Sequence, residues 1–257
     1  MKKKILITGS SGFIGSKLCI SLKKSNKYII KKLKLSKKEF ENQKFFKKNL
    51  IKNYKKIDVV VHLGWGYMKD PWNVYHIKNN YNKTKTLFEF SKKTNVKKFI
   101  FCGSMNEYGD LTGSLKENRK PGEILTKYAI SKSSLTNLGT NYFEKSDTHF
   151  YVIRPFYVYG YGQEKNSLIN QLFFAAKNNK DISLSDCLSY RDYVYVYDVI
   201  TAFIAIIKSN FNNSGIYNVG SGKSILLKTF VKIIWAKLNK NPKILKFGNI
   251  KNKKELI

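Results

Sequence analysis

Apolar positions along this 257-residue chain alternate between short, nearly unbroken runs and longer stretches in which they return every three to four residues. Lys4 to Thr8 is the first run, rich in branched side chains, as expected of a strand buried on both faces. Beyond it Ile14, Leu18, Cys19 and Leu22 recur at helical spacing, so a helix starts within the intervening glycines. The same criteria predict strands at Lys27–Leu35, Lys56–Leu63, Lys98–Cys102 and His149–Ile153, and helices over about Trp72–Thr94 and Lys127–Phe143. Val59, Val60 and Val61 mark a central strand, and Val74, Ile77, Tyr81, Leu87 and Phe90 an apolar helical stripe. Strands and helices alternating over short links call for an α/β fold, a doubly wound parallel sheet. The length suits one such domain, or one and a half. Residues 1–160 are expected to form it and 161–257 a small C-terminal region. Part of 189–220, at Ser189–Tyr197 and Ile216–Gly220, is expected to return to the core sheet, and a further strand is expected at Lys243–Phe247.

Gly9, Gly12 and Gly15 lie between the first strand and the first helix in a G-x-x-G-x-x-G spacing. Gly9 permits a tight turn, Gly12 lets backbone N–H groups approach a pyrophosphate, and Gly15 lets the helix pack close to the strand. The helix N-terminus directs partial positive charge at the phosphates. In this context the pattern predicts a Rossmann-type dinucleotide site made by Gly9, Ser11, Gly12, Phe13, Ile14 and Gly15. Leu63 and Gly64, at the carboxyl end of the central strand, join it, because ligands bind at that edge of such sheets. The second strand ends without the acidic residue that holds the ribose hydroxyls of NAD. Lys31, Lys32, Lys34 and Ser36 stand there instead and suit a 2′-phosphate, so NADP(H) is favoured and NAD(H) remains open. The plainer reading is that these lysines belong to a general excess.

That excess is large: the formal net charge is +31. A charge of this size invites a nucleic-acid reading, which would show as steep salt dependence. Composition argues against it. Of 48 basic residues only Arg119, Arg154 and Arg191 are arginine, the skew of an A/T-rich coding bias that turns tolerant surface sites into lysine. The runs Lys2–Lys4, Lys31–Lys38, Lys47–Lys56 and Lys251–Lys254 are interrupted rather than gathered on one face. Such a surface still attracts anionic ligands at long range. Where arginine persists, a bidentate fork onto phosphate or carboxylate is a reason for it; for Arg154 a ligand role and a structural ion pair are both open. No apolar stretch approaches the roughly 18 residues of a membrane span, and MKKK leads straight into a strand rather than a signal segment. A cytoplasmic location is therefore expected. Cys19, Cys102 and Cys187 are widely spaced, which fits neither a disulfide framework nor a metal cluster, and no metal is expected. Cys19 and Cys102 read as small core residues.

Tyr128 and Lys132 lie four residues apart, one helical turn, and Ser104 directly follows the strand Lys98–Cys102. Together they can form a proton-transfer site, with the phenol as acid or base and the serine hydroxyl orienting the substrate oxygen. A neighbouring lysine ammonium and an oxidised nicotinamide would both favour the phenolate and bring it toward working pH.

The segments TGSSGFIG, VVHLGWG, NNYNKT, CGSMNEYG, YAISK, RPFYVYGYGQ, RDYVYVYDV and YNVGSGKS, in that order, cover nearly the whole chain. They resemble the extended short-chain dehydrogenases/reductases, the NAD(P)-dependent nucleotide-sugar epimerases, dehydratases and reductases. The resemblance implies that Ser104, Tyr128 and Lys132 are the catalytic set, that Asn80 backs the cofactor site, and that Arg191 grips the diphosphate of a nucleotide-sugar substrate. It also implies a homodimer through the helices near Trp72–Thr94 and Lys127–Phe143, and a C-terminal substrate-capping region that is short for the family. Four departures bear on the chemistry. The sugar 4,6-dehydratases carry Asp-Glu where this chain has Met105 and Asn106, so dehydration is not expected. Glu107 is displaced by one position and is assigned a surface or capping contact. Tyr157 stands where many relatives have Asn, and with Ser104, Asn106 and Arg191 is expected to bind substrate. Asn49 replaces the Asp that commonly meets the adenine. HLGWG with EYG-DLTG-SLKE resembles the reductases of 4-keto-6-deoxy-sugar nucleotides. The expected activity is thus reduction of a 4-keto hexose nucleotide. A 4-epimerase with tightly held NAD and a catalytically idle dinucleotide binder are the alternatives.

Overall fold

Each apolar run in the first half of the chain becomes a strand of one parallel sheet. The computed structural model describes residues 2–33, 42–210, 213–238 and 241–250. In chain order the elements are β1 (Lys3–Thr8), α1 (Phe13–Lys24), β2 (Tyr28–Lys32), α2 (Gln43–Asn53), β3 (Val59–His62), α3 (Asn82–Lys93), β4 (Lys98–Cys102), α4 (Lys127–Phe143) and β5 (His149–Pro155). There follow β6 (Tyr157–Tyr159), α5 (Leu168–Lys177), β7 (Ile182–Ser183), β8 (Tyr190–Tyr195), α6 (Val196–Lys208), β9 (Gly215–Val219), β10 (Ser224–Leu226), α7 (Leu227–Leu238) and β11 (Leu245–Lys246).

The chain divides into two units, Met1–Pro155 with Tyr197–Val219, and Phe156–Val196 with Gly220–Ile257. In the first, six parallel strands lie in the order β2-β1-β3-β4-β5-β9. Alternation along each strand splits the buried side chains between two faces. Leu6, Val60, Phe99, Phe101, Phe150 and Val152 form one core with Phe46 and Leu50 of α2, Leu87 and Phe88 of α3, and Leu135 and Phe143 of α4. Ile5, Ile7, Val59, Val61, Ile100 and Ile153, equally buried, alternate with them. The strand order reverses between β1 and β3, the switch point at which such sheets bind ligands.

In the second unit β6 pairs parallel and β10 antiparallel with β8, while β7 pairs with β11. Its core joins Leu172, Ile182, Leu184, Cys187, Val231 and Trp235, and Tyr193 stacks on Phe230 with ring centroids 3.8 Å apart.

Four expectations are corrected. The segment Ser189–Tyr197 does not rejoin the central sheet: β8 is the middle strand of the three-stranded sheet, and only the segment near Ile216, as β9, pairs with β5. The boundary falls after Pro155 rather than after Gly160. The helix expected from Trp72 begins as a π-helical turn at His76–Tyr81 and becomes α-helical only at Asn82. The wider turn shifts the residues within and before it off the buried stripe, which leaves Ile77 and Val74 exposed. Near the C-terminus, Pro242–Ile244 is a 3-10 turn and the strand is confined to Leu245–Lys246. Lys34 and Ser36, two of the four residues expected at the second strand's tip, lie outside the described residues, as does Lys251–Lys254.

Candidate active site

The glycine turn closes on the switch point. Gly9 has φ +65°, and a side chain there would meet the backbone of Leu63 and Gly64 at 2.7 Å. One on Gly15 would overlap the Gly9 carbonyl, so the first turn of α1 sits directly on the end of β1. At the N-cap, Gly12 makes no side-chain cap, the first helical turn holds no acidic residue, and a side chain on Gly12 would approach only the Gly9 oxygen, at 3.3 Å. An uncapped helix start behind an exposed glycine is the cradle a dinucleotide pyrophosphate requires. Ser11 is exposed on the turn, Phe13 and Ile14 open the helix half-buried, and Lys32, exposed, pairs with Ile7 in the register of β2 on β1.

A buried chain of hydrogen bonds fixes this edge. The Gly64 N–H donates to Thr8 Oγ1 at 2.9 Å, and Thr8 Oγ1 lies 2.6 Å from His62 Nδ1. On the other side His62 Nε2 lies 2.8 Å from Thr84 Oγ1, which itself donates to the Asn80 carbonyl. The Thr84 proton is committed to Asn80, so Thr84 must accept from His62; Nε2 carries the imidazole proton and Nδ1 accepts from Thr8. Burial holds His62 neutral, its pKa lowered to about 3. Asn80 grips both backbone groups of Gly66, accepting from its N–H at 3.2 Å and donating to its carbonyl at 3.0 Å.

Ser104 is delivered by the end of β4 and held by a capping box on the 3-10 turn Met105–Tyr108. Its Oγ accepts from the Asn106 N–H at 3.2 Å, and its own N–H donates to Glu107 Oε1 at 2.8 Å. Tyr128 and Lys132 lie one turn apart on α4, and the Ser104 hydroxyl stands near enough to the phenol to lower its pKa.

In the protein without cofactor, the lysine does not have the expected effect on the phenol. Burial is the largest influence on Tyr128 and pushes its pKa up, the Glu107 carboxylate adds to this, and the Ser104 hydroxyl opposes it. The Lys132 amine donates to the Cys102 carbonyl at 2.6 Å and lies 5.8 Å from the Tyr128 ring centroid. Burial lowers its own pKa to about 8. The phenol of the free protein is thus protonated, and the amine does not ionise it.

The model of the NAD dependent epimerase/dehydratase family matches residues 5–220. The chain belongs to that family. An uncharacterized protein of Methanocaldococcus jannaschii is 30% identical, covering 94% of this chain and 82% of its own. CDP-abequose synthase of Salmonella muenchen is 29% identical over 95% of this chain and 84% of its own. Among solved structures, UDP-glucuronic acid 4-epimerase from Bacillus cereus, in complex with UDP-glucuronic acid and NAD, superposes with a TM-score of 0.77 at 25% identity, covering 95% of this chain and 85% of that one. The family and its structural neighbours are extended short-chain dehydrogenases/reductases, as the motifs imply, and a Rossmann-like parallel sheet is their fold.

Arg154 makes the structural ion pair: its Nη2 lies 3.0 Å from Glu107 Oε2, and its guanidinium stacks over Tyr108. Glu107 is 1% exposed, so the capping contact holds and the surface one does not; it also accepts from Thr136 Oγ1 at 2.8 Å. In the second unit the Arg191 guanidinium lies 4.8 Å from the Tyr157 ring centroid and hydrogen-bonds the Tyr193 hydroxyl, which brings those two expected substrate residues together. Met105 and Asn106 are half-buried, and Asn106 acts on Ser104 through its backbone. Asn49 lies on α2 with Oδ1 buried and without a hydrogen-bond partner. Cys19 is buried and Cys102 half-buried, both as free thiols. Sequence reasoning did not single out His62, Trp65, His76 or Thr84, which position the turn and the amine. The S-x-x-E spacing of Ser104 and Glu107 was the one local signal for the capping box.

Among the described residues no helix is long and apolar enough to cross a membrane.

Proposed function

We propose that this protein reduces the 4-keto group of a hexose nucleotide, with NADPH as the preferred cofactor. The observation that carries the reading is the half-buried, protonated phenol of Tyr128 beside the Ser104 hydroxyl, because carbonyl reduction needs a proton donor at the oxygen. When bound, the reduced nicotinamide supplies the hydride. Tyr128 gives its proton to the carbonyl oxygen while Ser104 donates a hydrogen bond to the same atom. Lys132, one turn along α4, stabilises the phenolate that results and binds the nicotinamide ribose. Gly9, Ser11, Gly12, Phe13, Ile14 and Gly15 take the pyrophosphate, Leu63 and Gly64 flank it, and Asn80 secures the loop behind. Lys32 is the candidate for a 2′-phosphate, since the described part of the β2 end, through Leu33, holds no acidic residue. In the second unit Arg191, with Tyr157 beneath it, is the candidate for the substrate diphosphate. Met105 and Asn106 offer no acid–base pair, which favours reduction over dehydration.

Native mass spectrometry of the purified protein, followed by incubation with 4-keto sugar nucleotides and NADPH or NADH, tests the reading. Stoichiometric loss of NADPH absorbance with appearance of a reduced sugar is expected. Firmly co-purified NAD, with epimerisation and no net NADPH oxidation, would overturn it in favour of a 4-epimerase. Cofactor binding without turnover on a broad panel would favour an idle binder.

A further inference from the structure

Three aromatic rings surround the amine of Lys132. Its Nζ lies 3.7 Å from the centroid of Trp65, 4.7 Å from that of Phe101 and 5.8 Å from that of Tyr128. Among the described residues no carboxylate pairs with it, and its hydrogen bond goes to the Cys102 carbonyl. A buried ammonium ordinarily needs a counter-charge, and here ring faces stand in that place.

The nearest ring is held in position. Trp65 Nε1 donates to His76 Nδ1 at 3.0 Å, with the two rings stacked at an interplanar angle of 18°. Asn80 Nδ2 lies 3.2 Å from the same nitrogen, which therefore accepts, so Nε2 carries the proton and reaches the Asp70 carbonyl at 2.9 Å. His76 is fully buried and neutral, its pKa lowered mainly by burial. Cys102 beside the amine is a thiol whose pKa burial raises, so the titratable group that favours the amine's charge is Glu107, and its carboxylate is already paired with Arg154. Charged Lys132 in turn disfavours protonation of both His62 and His76.

We propose that Trp65, locked by His76, is a positioning residue for Lys132 that keeps the amine charged and placed through a cation–π contact where a carboxylate would otherwise be required. Its bearing on turnover rests on the reading of Lys132 given above; its bearing on the amine does not.

Competitive amine labelling across pH, read peptide by peptide in the intact chain, follows the titration of Lys132 itself. In the parent the midpoint is expected at about 8. Trp65→Leu is expected to lower it by about one and a half units, a roughly thirtyfold loss of proton affinity, which is the size of a desolvated cation–π contact. Trp65→Phe, which keeps a ring face, should restore most of that loss. Biosynthetic incorporation of tetrafluorotryptophan weakens the ring face without changing its shape, and keeps the test available if Trp65→Leu does not fold. Trp72 is half exposed and Trp235 belongs to the core of the second unit, so a shift at Lys132 reports Trp65. A midpoint unmoved in folded Trp65→Leu and in the fluorinated protein overturns the proposal. A lowered midpoint supports it even where Tyr128→Phe leaves turnover intact, a result that would remove the catalytic reading alone.

Discussion

Glu107→Gln is expected to damage both the fold and the site. The carboxylate receives Arg154 Nη2 at 3.0 Å and Nε at 3.1 Å, Thr136 Oγ1 at 2.8 Å and the Ser104 N–H at 2.8 Å. An amide of the same shape offers one acceptor oxygen and one donor nitrogen. Turned either way, it sets N–H against N–H, facing Ser104 or Arg154, and it leaves a guanidinium of 7% exposure without a counter-charge. Breaking a buried pair from one side costs about 3–5 kcal/mol. At roughly 2–4 °C per kcal/mol for a chain of this size, the melting temperature should fall by about 6–20 °C. Urea unfolding at neutral pH, with an unchanged m-value, measures the loss directly. The turn that presents Ser104 loses an acceptor at the same time, so kcat should fall while cofactor affinity holds. The double variant Glu107→Leu with Arg154→Met should recover most of the stability, because apolar replacement removes both desolvated charges. A loss below about 1 kcal/mol for Glu107→Gln, or a double variant no better than the single one, would refute the reasoning.

Gly15→Ala sets packing against propensity. Alanine is the better helix former by about 1 kcal/mol, but its methyl would overlap the Gly9 carbonyl, so stability should fall by about 1–3 kcal/mol on the overpacking scale; a stabilised variant in calorimetry would contradict the closeness of α1 to β1. His62 titrates at about 3 in the fold against 6.5 when free. The unfolded chain therefore binds the extra proton, and the stability this group contributes is full above 6.5 and is lost progressively as pH falls toward 3. Between neutral pH and pH 5 the loss from this residue should reach about 2 kcal/mol, and His62→Gln should flatten the pH dependence of unfolding by that amount; equal slopes in parent and variant would contradict the buried neutral ring. Lys32→Glu should shift cofactor preference from NADPH toward NADH at least tenfold in kcat/KM, and an unchanged ratio would remove Lys32 from the 2′-phosphate site.

The parts of the fold that were legible are those whose determinants are local. The bounds of β4 and α4 coincide with the periodic segments Lys98–Cys102 and Lys127–Phe143, because each buries an uninterrupted pattern. The alternating tyrosines of β8 announce a strand, but alternation does not say which sheet completes it, and β8 pairs outside the central one. The stripe through Val74 and Ile77 failed because a π-helical turn breaks the spacing on which it was read. The glycine turn and the serine, tyrosine and lysine of the candidate site were visible as motifs. Their electrostatics were not: the raised pKa of Tyr128 depends on how deeply α4 is packed, and the partners of Lys132 come from Trp65 and Cys102, far from it in the chain. For Glu107 the sequence offers a surface or a capping contact, and only Arg154 and Thr136, brought from afar, show why the capping one is buried.

The most direct test of the account is turnover by Tyr128→Phe with a 4-keto sugar nucleotide and NADPH, measured beside cofactor affinity in the same preparation. The phenol is held as a proton donor, so its removal should lower kcat by about two to four orders of magnitude and leave the dissociation constant for NADPH within about threefold, a difference of well under 1 kcal/mol. A Tyr128→Phe enzyme that reduces the substrate at nearly the parent rate would contradict the assignment of the proton to Tyr128, and with it the central claim.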